Sequence, residues 1–138
     1  MSRRIARQMA MQSLFQMEFS DMPEETAFAA AKEQHEGKLS VNSVDYASML
    51  VKGVIENKKE IDELIKKYVK DWDIARIPKA DLSIFRIAIY EMYFSTEDIA
   101  PNIAINEAVE IAKIYGDDDS PRFINGVLGQ MVKTIKKE

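Results

Sequence analysis

The sequence contains no cysteine and only one histidine, His35. A disulfide framework and a zinc site made of cysteine and histidine are therefore excluded. A Ser-His-Asp catalytic relay would have to use His35, which lies in a polar stretch and is expected to face solvent. The absence of cysteine is compatible with a reducing compartment, and we expect the protein to be cytoplasmic.

Long apolar runs and ligand-binding loops are missing as well. No segment approaches the ~20 apolar residues that a membrane span needs, and no apolar region follows Arg3 and Arg4 as it would in a secretory signal. The five glycines form neither a GxGxxG nor a Walker pattern. The acidic run at residues 117–119 lacks the ligand spacing of an EF-hand loop. No catalytic constellation is visible, and we expect no enzymatic activity, no cofactor and no metal site.

The composition and the periodicity are those of an all-helical globular protein. Hydrophobic residues make up 46% of the 138 positions, and we expect residues 1–138 to form one domain. Apolar residues recur with the 3.6-residue period of helices and do not alternate as in strands. Ser40 or Asn42 is expected to cap the third helix, and Ser120 the seventh. About seven helices are predicted, roughly at residues 3–19, 24–36, 41–57, 59–70, 78–94, 101–115 and 121–136.

The fifth helix is apolar on almost every side and is expected to lie at the centre of the bundle. Arg86 interrupts it, and a buried guanidinium needs a partner, for which Glu107 and Glu110 on the next helix are candidates. In the seventh helix, Gly126 and Gly129 each cost about 1 kcal/mol relative to alanine. Close approach of a helix would explain them, as would the less common close approach of a ligand.

The first helix carries the most informative pattern. Its opposite faces hold a stripe of small packing residues and a second, solvated set, which consists of Arg4, Arg7, Gln8, Met11 and Phe15 with Arg3 at the margin. Arginines beside an exposed aromatic ring suit single-stranded nucleic acid, because guanidiniums pair with phosphates and rings stack with bases. The alternative, in which Phe15 packs under another helix and the arginines only face water, fits this helix equally well.

Two further aromatic residues flank the start of the seventh helix. Tyr115 ends the sixth helix, and Phe123 lies just inside the seventh. They could form a stacking platform beside backbone N–H donors at the helix start. Ordinary core packing of the two rings is the slightly favoured alternative.

The net charge of −4 argues at first against nucleic acid. The charge is uneven, however, because the first 17 residues hold three arginines and no acid. Of the 19 basic and 23 acidic residues, the other positions therefore keep 16 basic and all 23 acidic ones. This distribution favours a small, partner-assisted RNA site over a broad basic face.

The chain resembles the NusB family of bacterial transcription antitermination factors over nearly its whole length. Three blocks carry the resemblance, at residues 3–7 with 12–15, at 85–91, and at 104–113 continuing through 115–128. The resemblance implies an all-helical fold of two small helical subdomains without enzymatic activity. It also implies binding to single-stranded boxA RNA in ribosomal RNA transcripts, together with NusE, a small-subunit ribosomal protein. The resulting complex joins RNA polymerase with other Nus factors and suppresses premature termination.

The resemblance also implies which residues contact RNA. Arg3, Arg4 and Arg7 correspond to the arginine-rich arm that contacts phosphates, and Phe15 occupies a usually aromatic position. The RNA surface is expected to continue at Tyr115, Asp119 and Phe123. Two features depart from the family pattern. The arm is short and has fewer basic residues than some members carry, and Gly129 stands where an acidic residue often follows the Val-Leu pair at residues 127–128.

Two other classes of protein stay open. NusB-like domains also precede a ribosomal RNA cytosine methyltransferase domain, but this chain has no Rossmann-like fingerprint and no cysteine nucleophile, so it could supply only RNA recognition. The second alternative is a homodimeric NusB-like helical adaptor whose RNA surface is covered by the partner copy. The eight methionines and the exposed aromatic residues would suit such an interface.

Overall fold

The computed structural model describes residues 3–69, 73–97 and 99–135, and all regular structure in these ranges is helical. A 3₁₀ turn at Ile74–Arg76 was not predicted, and a π-helical turn at Tyr90–Phe94 continues the fifth helix. The predicted all-α fold with seven helices is confirmed. The expected ends of the fourth helix at residue 70 and of the seventh at residue 136 lie outside the described residues. The α-helices are α1 (Arg3–Ser20), α2 (Glu24–Gln34), α3 (Val41–Glu56), α4 (Lys58–Tyr68), α5 (Lys79–Ile89), α6 (Pro101–Tyr115) and α7 (Ser120–Thr134).

Local sequence signals account for most helix starts. The Ser40 hydroxyl accepts a hydrogen bond from the Ser43 N–H at 3.1 Å, so Ser40 and not Asn42 caps α3. Proline stands in the first turn of α6 and of α7, where its missing N–H costs nothing. Ser120 is the first residue of α7 and not its cap, because its hydroxyl accepts instead from the Asp117 N–H.

Helix α1 joins two groups of helices. It packs against α2 and α3 on one side and against α5 on another, while α5 also contacts α4, α6 and α7. The buried side chains of all seven helices form one continuous cluster. Gly53 lets α3 come close to the π turn, since a Cβ at this position would lie 2.3 Å from the Tyr90 ring. The N-terminal helices and the C-terminal ones therefore share a core through α1 and α5.

Two expectations about single residues, His35 and Arg86, were wrong. His35 is buried, and its Nε2 lies 2.8 Å from the Gln12 side-chain oxygen, because α2 folds back onto α1. Arg86 is paired with Asp62 of α4 and Glu18 of α1, both at 2.9 Å, and not with a glutamate of α6. The reason is that the side of α5 that carries Arg86 faces α4 and the end of α1.

The two glycines of α7 were also explained wrongly by helix packing. A Cβ built on Gly126 or on Gly129 meets no atom within 4 Å, so no neighbouring helix requires either glycine. The structure gives no reason for Gly129.

Among the described residues, no helix is long and apolar enough to cross a membrane.

Candidate nucleic-acid interface

Two of the predicted arginines lie at the exposed end of α1, and each is held by a carboxylate. Arg3 donates to Glu97 at 2.7 Å. Arg4 donates through Nε and Nη2 to the two carboxylate oxygens of Glu107, at 3.0 and 2.9 Å. These hydrogen bonds from Arg4 lower the pKa of Glu107. The side chains of Arg3 and Arg4 are 43% and 51% exposed, so both guanidiniums are within reach of a ligand in solution.

Arg7 does not share this exposure, and its expected position on a solvated face was wrong. Its guanidinium is buried and donates to both oxygens of Glu91 in the π turn, with distances of 2.9 to 3.1 Å. The Tyr46 hydroxyl of α3 donates to the same carboxylate. Met11 on the same side of α1 is buried too. The cause is that α3 and α5 cover the side of α1 that the helical pattern assigned to water.

The contact of Arg7 with phosphate stays a prediction. The buried ion pair between Arg7 and Glu91 disfavours such a contact. A phosphate could reach this guanidinium only after the buried pair opened, and leaving Glu91 unpaired in the core costs several kcal/mol, about 3–5. The residue therefore fits a structural role better. Its Nη1 also lies 3.7 Å from the Glu107 carboxylate, so Arg7 helps to fix that group.

A cleft of about 230 Å³ lies where α1 and α2 meet the start of α5 and the end of α6. The structure brings Phe15 and Tyr115 together in its lining. The family resemblance implied that both residues belong to the RNA surface, and their contact with RNA stays a prediction. Phe15 is half-buried and stacks on Phe19, with ring centres 5.4 Å apart and an angle of 8° between the rings. The complete lining is Met11, Gln12, Phe15, Gln16, Ala30, Ala31, Gln34, Ala80 and Tyr115.

Glutamine side chains supply the polar part of this cleft, which the sequence pattern did not predict. Gln12 donates to the Gln34 side-chain oxygen at 2.6 Å, while its own oxygen faces His35. Gln16 accepts a hydrogen bond from Ser20. Amides beside aromatic rings can hydrogen-bond the edges of an unstacked base. The available signal was Gln12 in the 12–15 block, one helical turn before Gln16.

Asp119 and Phe123 lie beyond this cleft, at the start of α7. Asp119 is exposed. Phe123 is half-buried, and its ring lies nearly perpendicular to the Phe85 ring, with ring centres 5.4 Å apart and an angle of 82° between the rings. The core-packing alternative therefore holds for the buried part of this ring. The Ser120 hydroxyl donates to the buried Asp81 carboxylate at 2.8 Å and fixes the turn that carries Asp119.

Close packing also shapes this turn. A Cβ at Gly116 would lie 2.6 Å from the Ser120 side chain, so glycine is needed for the chain to pass there. Burial raises the pKa of Asp81.

Within the described parts of the chain, no group of three acidic or histidine side chains could hold a metal ion.

The fold and this surface define an all-helical protein with exposed arginines at one end of a helix and an aromatic, amide-lined cleft further along it. The model of the NusB family matches residues 4–133, and the chain belongs to the NusB family.

Curated relatives agree with this membership. The chain is 43% identical over 136 residues to the transcription antitermination protein NusB of Bacillus licheniformis, covering 99% of this chain and 100% of the relative. It is 40% identical over 137 residues to the protein of the same name from Heliobacterium modesticaldum, covering 99% of this chain but only 65% of that relative's length. These relatives are named as antitermination proteins and not as enzymes, in agreement with the sequence-based expectation.

Solved structures show the same fold. NusB of T. maritima has a TM-score of 0.87 and 32% identity, with 99% of this chain and 94% of that chain covered. A crystal structure of antitermination factors NusB and NusE in complex with dsRNA has a TM-score of 0.83 and 26% identity, covering 96% of this chain and 97% of that one.

Proposed function

We propose that this protein is a transcription antitermination factor that binds single-stranded boxA RNA of ribosomal RNA operon transcripts together with NusE and suppresses premature termination. One observation carries the RNA-binding part: Phe15 and Tyr115 line one cleft together with glutamine amides. An unstacked base can stack on such rings and hydrogen-bond to such amides, which is the usual way in which proteins read single-stranded RNA.

The exposed arginines extend this surface toward the N-terminal end of α1. Arg3 and Arg4 lie on the helix that also carries Phe15, about three turns before it. Phosphates of nucleotides further along the strand from a base in the cleft would meet these two guanidiniums, and Asp119 with the exposed part of Phe123 would meet the strand beyond the cleft. In this proposal Arg7 supports the surface from within the core and need not touch RNA.

The partners follow from the charge distribution and from the family. The chain outside its first 17 residues is acidic, and an acidic surface attracts a basic ribosomal protein such as NusE. RNA polymerase and the other Nus factors would join through the complex. This function places the protein in the cytoplasm, where the transcript is made.

A titration with a boxA oligoribonucleotide, with and without NusE and at several salt concentrations, tests the proposal. Arg3→Ala/Arg4→Ala should weaken binding and reduce the slope of log K against log salt by about one unit for each lost phosphate contact. Arg76→Ala removes one exposed arginine from the 3₁₀ turn and serves as the control. Wild-type affinity in the double variant would contradict the proposed surface.

The aromatic cleft is tested separately by Phe15→Leu. Leucine keeps an apolar side chain at this half-buried position but cannot stack on a base, so RNA binding should weaken by about 1–3 kcal/mol. The denaturation midpoint of the variant shows whether its fold is kept. A stable variant that binds boxA RNA like the wild type would remove Phe15 from the site.

The homodimeric adaptor remains the second candidate because of two exposed apolar residues. Phe19 is 65% exposed beside Phe15, and Ile114 is 59% exposed beside Tyr115. A second copy that covered them would also cover the cleft. Size-exclusion chromatography with light scattering distinguishes the two: a dimer that persists when RNA is added would favour the adaptor, whereas a monomer that binds RNA would favour the antitermination factor.

A further inference from the structure

Both exposed arginines of the candidate RNA surface already hold an anionic group. Arg4 uses its Nε and Nη2 to bind the two oxygens of Glu107 side by side. This is the bidentate arrangement in which a guanidinium also binds a phosphate. A phosphate that is to bind Arg4 through the same two donors therefore has to displace the Glu107 carboxylate.

The Glu107 carboxylate is fixed more firmly than its partner. Its side chain is 16% exposed, against 51% for Arg4. It also lies 3.7 Å from Arg7, which Glu91 holds in the core. When a phosphate arrives, the long side chain of Arg4 can move, whereas Glu107 stays in place and faces the incoming charge.

Glu97 pairs with Arg3 by a single hydrogen bond of 2.7 Å. Here the carboxylate and the guanidinium are about equally exposed, at 40% and 43%. Both carboxylates come from the chain after α5, more than 90 positions from their arginines, so only the tertiary fold brings them here.

We propose that Glu97 and Glu107 set the RNA affinity of this surface by competing with phosphate for Arg3 and Arg4. This inference rests on the proposed RNA-binding function. Because of these two carboxylates, charge attraction to the arginines alone does not give stable RNA binding. Stable binding needs a base in the aromatic cleft as well. They are positioning residues and need not touch RNA themselves.

The test compares Glu107→Gln with Glu110→Gln in titrations with a boxA oligoribonucleotide and with poly(U) at low and high salt. Glutamine can still hydrogen-bond Arg4 but carries no charge, so Glu107→Gln should bind both RNAs about two- to fivefold more tightly at low salt. High salt should reduce this gain, because it screens charges near the surface. Glu110 lies one turn further along α6 and pairs with Lys113, so Glu110→Gln removes the same charge without releasing Arg4 and should gain less.

The results separate this inference from the proposed function. If the wild type does not bind boxA RNA even with NusE, the proposed function fails. If the wild type binds and Glu107→Gln binds equally or more weakly, the inference is overturned, since Glu107 then does not compete with phosphate for Arg4. If Glu107→Gln unfolds, Glu97→Gln provides the same test, because both side chains of the Arg3–Glu97 ion pair are exposed and the fold does not depend on it. A gain in affinity of about two- to fivefold is again expected.

Discussion

Helix α1 carries arginines in two different settings, at its exposed end and within the core. Arg3 and Arg4 form ion pairs in which the guanidinium is partly exposed to water. Arg7, only one turn further, is enclosed by Glu91 and Tyr46. An exposed ion pair contributes little to stability, whereas breaking a buried one leaves an unpaired charge in the core. The same residue type thus stabilises the fold in one setting and, in the proposed function, contacts RNA in the other.

Arg7→Ala should have the largest effect on stability. It leaves the Glu91 carboxylate, whose side chain is 1% exposed, without its cation. We expect a loss of about 3–5 kcal/mol in the free energy of unfolding, measured by urea denaturation. A loss below about 1 kcal/mol would mean that Glu91 finds water or another donor, and would place Arg7 with the exposed arginines.

Arg86→Ala should cost less, although Arg86 itself is equally buried. Its partners Asp62 and Glu18 are 20% and 31% exposed and can turn toward water when the guanidinium is removed. We expect a loss of about 2 kcal/mol in the same denaturation experiment. If the loss equals that of Arg7→Ala, exposure of the remaining carboxylates does not decide the cost.

Asp81→Asn tests a buried carboxylate that has a hydroxyl partner in place of a cation. The pKa of Asp81 in the folded chain lies above the ordinary value of 3.8, chiefly because of burial. Its contribution to stability is therefore full below pH 3.8 and is lost as the pH rises through the folded-state pKa.

Asparagine at position 81 can still accept the hydrogen bond from Ser120 but does not ionise. The melting temperature of Asp81→Asn minus that of the wild type should therefore increase between pH 4 and pH 7. Thermal unfolding at several pH values measures this difference. A difference that stayed constant with pH would show that Asp81 is already protonated at neutral pH or is well solvated.

Arg4→Ala should have the smallest effect on stability. Because its guanidinium is exposed, water replaces it at Glu107, and the denaturation midpoint should not change measurably. RNA binding should weaken in the same variant. A clear loss of stability would show that Arg4 belongs with Arg7 among the residues that hold the fold.

The sequence predicted the positions of the helices better than the neighbours of individual side chains. Helix positions followed from periodicity and from signals such as Ser40 and Pro101, which act within a few residues. The same reasoning placed Arg7 and Met11 on a solvated face, because helical spacing gives the angle between side chains but not the number of neighbouring helices. It also expected Arg86 to meet α6, whereas the rotation of α5 in the bundle turns it toward α4.

The candidate site was predicted in part. Phe15 and Tyr115 were singled out, and the structure places both in one cleft. The glutamines of this cleft and the carboxylates at the arginines were missed, since no local pattern links them to the residues that they contact. Phe123 was assigned to the same surface, yet its ring rests mainly on Phe85.

The sequence by itself determined the all-helical fold, the family and the concentration of arginine at the start of α1, because these depend on residue types and on spacings within one helix. Only the tertiary structure decided which arginines stay exposed and which acids hold them. Those pairs join residues 84 to 103 positions apart. Their geometry depends on how seven helices share one core, and this arrangement turns one arginine inward while two remain in solvent.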